Sequence, residues 1–132
     1  MTLSENPKLG GWMGHTIFRG RRVELEIDAE MWGVGPQKAA ESALEALELR
    51  WSEIDRALLG HLLKLYNESW ADPSQGFPTL ADPHFLEKLS LSTVAIGQGA
   101  IILYFADGNL FAGHTVSVTL LSDQEPTAMI EG

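Results

Sequence analysis

Four histidines, His15, His61, His84 and His114, are the side chains best suited to proton transfer near neutral pH or to metal binding. His15 and His114 fall in stretches that read as strands. With a neighbouring acid they would make the site of an enzyme, or of a small-ligand or metal-binding protein. Their spacing argues against a metal. No His-x-His or His-Glu-x-x-His pattern occurs, and cysteine is absent, so no metal and no cofactor is expected. His114 also shares alternation with Leu110, Val116, Val118 and Leu120. That pattern places it on a buried face, as a hydrogen-bonded core residue.

Other chemistries find less support. No Gly-x-Ser-x-Gly nucleophile motif is present. Paired carboxylates such as Glu24 and Glu26, or Glu45 and Glu48, fall on faces that read as solvated. The run Gly10-Gly11-Trp12-Met13-Gly14 lacks the lysine and hydroxyl of a phosphate cradle and leads into a strand, not a helix. Two groups are better suited to binding than to catalysis. Arg19, Arg21 and Arg22 cluster at a predicted hairpin tip, where they would grip a carboxylate or phosphate of a partner. Met31 and Trp32 sit in a connecting stretch as an anchor pair of the kind that dominates interfaces.

The elements that must position these residues are legible from hydrophobic period. Residues 1–9 read as a flexible leader, with one domain over 10–132. Trp12 to Phe18 is strand-like, Arg19 to Arg21 a turn, and Arg22 to Asp28 alternates strictly, with Val23, Leu25 and Ile27 on one face. The two runs make a hairpin. Pro36 suits a first helical position. From Ala40 through Leu44, Leu47, Trp51, Ile54, Leu58, Leu62 and Leu65 the apolar residues recur every three or four positions. This is one kinked helix or two over residues 36–70, with Ser52 and Asp55 as a weak second start. A short helix follows Asp82-Pro83. Ser92–Ile96, Ala100–Ala106 and Leu110–Leu121 then read as strands, the last two joined by a tight turn at Asp107-Gly108-Asn109. Thr127–Ile130 adds a short edge. Strands and helices are segregated along the chain. The fold class is therefore α+β: a mostly antiparallel sheet, N-terminal hairpin plus C-terminal three-stranded unit, packed against two or three helices.

Charge narrows the partners. The 132 residues carry a formal charge of −9, and residues 73–132 hold a single base, Lys88. Such a surface repels phosphate backbones and anionic lipid, so neither nucleic acid nor membrane is an expected partner. A cationic protein is the favoured one. No apolar run is long enough for a signal peptide core or a membrane span, and a cytoplasmic location is expected. A homodimer through a sheet edge or the Trp32 loop is a further expectation.

Three segments carry a resemblance. Trp12-Met13-Gly14 opens the first hairpin, Leu65-Tyr66-Asn67-Glu68-Ser69-Trp70 closes the helical region, and Asp107-Gly108-Asn109-Leu110-Phe111-Ala112-Gly113-His114 precedes the last long strand. Together, over roughly residues 11–120, they resemble a bacterial family of small uncharacterised proteins, a domain of unknown function. Its pattern is a Trp-x-Gly start, a Leu-x-Asn-x-x-Trp helix end and an Asp-Gly-Asn-Leu-Phe-x-Gly-His hairpin. Ala112 stands where an aromatic is common in that family. The resemblance implies architecture and no catalytic residue. By analogy of size and acidity it also points to immunity proteins that neutralise toxins. The reading from sequence is thus a non-enzymatic, acidic protein-interaction domain, with an immunity-type inhibitor of a toxin as its specific form and the His15 and His114 site as the alternative.

Overall fold

The structure is a computed structural model. It describes residues 1–8 and 10–132, and for Trp32 the backbone alone. Seven strands form one sheet in chain order: β1 (Thr2–Glu5), β2 (Trp12–Phe18), β3 (Arg21–Ile27), β4 (Ser90–Gly97), β5 (Ala100–Ala106), β6 (Val116–Leu121) and β7 (Thr127–Ile130). Every neighbouring pair is antiparallel except β3 and β4, which run parallel. A parallel pair needs a long crossover, and the helices supply it. They are α1 (Pro36–Leu49), α2 (Trp51–Leu58) and α3 (Asp82–Lys88). The protein is α+β, as the segregation of strands and helices predicts.

Alternation on the strands fixes which face the helices cover. Val23, Leu25 and Ile27 of β3 are buried while Arg22, Glu24 and Glu26 between them are exposed. Register carries that parity across the sheet: Leu3, Gly14, Leu25, Val94, Leu103, Val118 and Ala128 lie in one row. This row and its neighbours meet Ala40, Leu47, Ile54, Leu58 and Leu62 in a single core. Gly14 is there for closeness: a Cβ on it would stand 1.8 Å from the Thr2 carbonyl oxygen, so only glycine lets β1 lie against β2.

The helical stripe breaks once. Arg50 leaves helical geometry at φ −108° and ψ 13°, ending α1 before α2 begins. Its guanidinium pins the kink by donating to the carbonyls of Leu121 and Gln124 in the β6–β7 turn, and it pairs with Glu53 at 3.2 Å. No side-chain cap is used at the start of α2, so the Ser52 signal plays no part. Beyond Leu58 the chain continues through two wider, π-helical turns, Leu59–Leu63 and Tyr66–Trp70, which seat Leu62 and Tyr66 in the core.

Two expectations are corrected. Thr2–Glu5, inside the stretch read as a flexible leader, is an edge strand paired with β2. Its short polar sequence hid it, because pairing to a formed hairpin supplies what its own pattern lacks. Likewise the strand expected over Leu110–Leu121 begins only at Val116. Asp107 is the reason. Its buried carboxylate accepts from the backbone N–H groups of Asn109 (3.0 Å), Phe111 (2.8 Å) and Gly113 (2.9 Å), closing residues 107–113 into a looped cap. Local side-chain bonding of this kind competes with strand pairing.

Candidate functional site

The face of the sheet away from the helices has no element packed over it among the described residues. One row across it reads Thr2, His15, Glu24, Thr93, Tyr104, Ser117 and Met129; the next reads Ser4, Met13, Glu26, Ala95, Ile102, Thr119 and Thr127. Large apolar side chains stand in the open there. Met13 is 47% exposed, Ile17 67% and Met129 55%. Tyr104 and Ile102 are half-buried between strands. Across from Met13, Glu26 together with Asp28 and Glu30 lines a hollow of about 300 Å³ that Ala95, Gly97, Ala100 and Ile102 also border. Arg22 pairs with Glu24 at 3.1 Å, whereas no base pairs with Glu26, Asp28 or Glu30 among the described residues. The face therefore combines apolar area with uncompensated negative charge.

The residues singled out in the sequence do not meet in one place. His15 lies on the uncovered face, directly across from Glu24. His114 lies just past the 107–113 cap, with its ring edge-on to Trp70 at 6.1 Å between centroids. His15 is on β2 and His114 in the loop that enters β6, four strands further along the sheet. His114 is also exposed rather than core, because the Asp107 loop ends the alternation that implied burial. His61, by contrast, serves the structure. Its Nδ1 accepts from the Ala128 N–H at 3.1 Å, capping the free edge of β7.

The arginine cluster divides by strand parity. Arg22 points to the uncovered face, while Arg19 and Arg21 line a separate cleft on the helix side. Arg19 sits in the left-handed region at φ 50°, and with Gly20 at φ 80° it forms a two-residue turn of the type that suits hairpins. Its guanidinium lies 4.8 Å over the Trp51 ring and 3.0 Å from Glu48. Met31 packs half-buried against the core and lines another cavity, of about 260 Å³, between α1 and the ends of β4 to β6. The Trp32 side chain falls outside the described residues.

Sequence reasoning missed Asp55, which lines the same cleft as Arg19 and Arg21. Burial pushes its carboxyl above the ordinary aspartate value, and nearby Arg19 draws it partly back. A signal was present: Asp55 is four residues after Trp51 and three before Leu58, which puts an acid on the core-facing stripe. Among the described residues no three His, Cys, Asp or Glu side chains are grouped to hold a metal ion. No described helix is long and apolar enough to cross a membrane.

Residues 2–129, from the edge strand β1 into β7, match the model of a family described as an uncharacterised protein conserved in bacteria, DUF2262. The chain belongs to the DUF2262 family. No curated protein and no solved structure matches it. For a DUF2262 chain, then, the fold described above is an α+β sheet that, among the described residues, helices cover on one side.

Proposed function

We propose that this protein is a non-enzymatic interaction domain that docks a cationic protein on the uncovered face of its sheet. The observation that carries the reading is a pairing of features at one end of that face: exposed Met13 on β2 stands directly across from Glu26, with Asp28 and Glu30 in the adjoining hollow and no base paired with any of the three acids among the described residues. An exposed apolar side chain set against uncompensated charge is the composition of an interaction surface. The carboxylates raise the encounter rate with a basic partner and repel acidic competitors. The hollow receives a lysine or arginine of that partner, its stem against Ile102 and its charge among the three acids. An immunity-type inhibitor that occludes a basic toxin is the specific form of this reading that the overall charge of −9 suits.

The test uses the full chain as bait in bacterial lysate at low and moderate salt. The expected result is capture of a basic protein that weakens with salt. The Glu26→Lys, Asp28→Lys double variant loses it by about tenfold or more, and hydrogen exchange in the purified complex is slowed on β2 to β5. Capture that survives the double variant unchanged, or no capture at either salt, overturns the reading. The alternative built on His15 and His114 has less to support it: direct proton relay needs hydrogen-bond reach, and the two lie on β2 and in the loop before β6, four strands along the sheet.

A further inference from the structure

The cleft on the helix side is chemically unlike the uncovered face. It has a volume of about 330 Å³ and opens between the β2–β3 turn, α2, the end of α3 and the start of β4. Its floor is apolar, with Trp51 wedged between Phe18 at 5.6 Å and Phe105 at 6.4 Å between ring centroids. Leu86, Leu89 and Leu91 complete the walls. Four charged side chains line it, and they are segregated by element. Arg19 and Arg21 come from the hairpin; Asp55 comes from α2 and Glu87 from α3.

Those charges differ in how far they are already used. Arg19 is engaged by the Trp51 ring and by Glu48. Arg21 donates only to the Ser90 hydroxyl, at 3.0 Å, and pairs with no carboxylate among the described residues. Asp55 and Glu87 accept no hydrogen bond from a described side chain. A guanidinium fork left open on one wall is matched to a carboxylate. An under-solvated carboxylate in the same cleft, from α2, is matched to an ammonium group. The lining is neutral overall, so a ligand of one sign always meets two charges of its own sign.

We propose that this cleft binds a small apolar zwitterion, an amino acid with an aromatic or branched aliphatic side chain. Arg21 takes its carboxylate, Asp55 takes its ammonium, and the Trp51, Leu86 and Leu91 surface takes its side chain. The volume lies at the lower end of the range for small-molecule sites, which fits a ligand of that size. Raised by burial, the Asp55 carboxyl gains most from a cation that enters the cleft and stays, and binding releases whatever proton it still holds.

Three probes test this on the full chain by NMR, following the Trp51 indole N–H. L-phenylalanine carries both charges, 3-phenylpropionate lacks the ammonium and phenethylamine lacks the carboxylate. L-phenylalanine is expected to bind about tenfold or more tightly than either analogue, the worth of one charge-assisted hydrogen bond. Arg21→Gln and Asp55→Asn are each expected to reduce that affinity by a similar factor, while Asp123→Asn, in the turn between β6 and β7 and outside the cleft lining, leaves it unchanged. Equal binding of all three probes, indifference to Arg21→Gln and Asp55→Asn, or no saturable change at millimolar L-phenylalanine overturns the proposal. Because Asp55→Asn removes a carboxyl that burial disfavours, the variant folds at least as well as the parent, and lost binding there reports the site.

Discussion

Removing the Asp107 carboxylate should unfasten the loop that carries Phe111 into the core. The carboxylate accepts three backbone N–H groups at 2.8 to 3.0 Å, and the Phe111 N–H is fully buried. Phe111 itself is wholly buried and meets Tyr66, Trp70 and Phe85 edge to face, at centroid distances of 5.5 to 6.3 Å. Hydrogen bonds to a charged group contribute about 1.5 to 3 kcal/mol each, yet the Asn109 and Gly113 donors lie near enough to water to recover part of theirs. The net cost of Asp107→Ala is therefore about 3 kcal/mol, most of it from the stranded Phe111 N–H. Asp107→Asn keeps one accepting oxygen but turns an amide N–H toward at least one backbone donor, at about 2 kcal/mol. With a urea slope of about 2 kcal/mol per molar, the alanine variant should unfold at a midpoint lower by about 1.5 M. Near-UV circular dichroism, which reports the Phe111 and Trp70 packing, should weaken before the far-UV signal changes. If both variants unfold within about 0.5 kcal/mol of the parent, the carboxylate is not what holds the loop, and its role in delaying β6 to Val116 is wrong.

Four further outcomes follow from particular contacts. Ala112, exposed at φ 57°, should become more comfortable as glycine, so Ala112→Gly is expected to stabilise by up to about 1 kcal/mol in thermal melts; a loss of stability refutes the strain. Asp55→Asn should stabilise at neutral pH, because a carboxyl raised by burial costs the folded state once it ionises. The gain should fade as pH falls through the raised value and vanish below 3.8, where both states hold the proton, and a gain independent of pH contradicts the assignment. Tyr66→Phe removes a 2.8 Å bond to the Pro78 carbonyl and should cost about 1 kcal/mol. Burial also raises the Tyr66 phenol, so above pH ~10 the unfolded chain loses that proton first and the parent loses stability that the phenylalanine variant keeps. Gly14→Ala should peel β1 from the sheet, seen as fast hydrogen exchange at Thr2–Glu5 with β3 to β6 still protected; protection that persists at β1 shows that the edge can shift to admit a Cβ.

Elements governed by periodicity were readable from the chain, and those governed by single side chains were not. Arg22 to Asp28 alternates because one face packs on helices and the other meets solvent, and β3 lies there within one residue. Ala100 to Ala106 matches β5 outright. The helical stripe from Ala40 to Leu65 marks the buried side of both α1 and α2, but not the break between them. That break depends on Arg50 reaching carbonyls of a turn more than seventy residues away, a contact no local pattern encodes. Asp107 reads as a plain hairpin turn because Asp-Gly-Asn has the right composition. Only the geometry reveals that its carboxylate spans six residues. For the same reason the parity that put His114 on a buried face does not extend across the loop. The arginine cluster was visible at the hairpin tip, but its division between two faces required the strand boundary at Arg21.

Three departures from local preference meet at the cleft. A two-residue turn of this type favours asparagine followed by glycine, and Gly20 conforms while Arg19 does not. The left-handed backbone at Arg19 costs about 1 kcal/mol, which asparagine would largely avoid. Arginine there gains the Trp51 face and the Glu48 carboxylate, contacts worth about as much at a half-exposed site. Folding alone is thus close to indifferent between the two residues. Two positions further on, Arg21 carries a charge that no protein carboxylate neutralises among the described residues, and in the same cleft burial penalises the charged form of Asp55. Three residues that stability does not select line one concavity, from two different elements. Sites that bind ligands characteristically hold such unfavourable groups in place. Arg19→Asn separates the two roles: it should leave the melting temperature nearly unchanged while loosening the Trp51 wall and weakening L-phenylalanine binding. A large loss of stability would instead make Arg19 a structural clamp, and the convergence of departures would then rest on Arg21 and Asp55 alone.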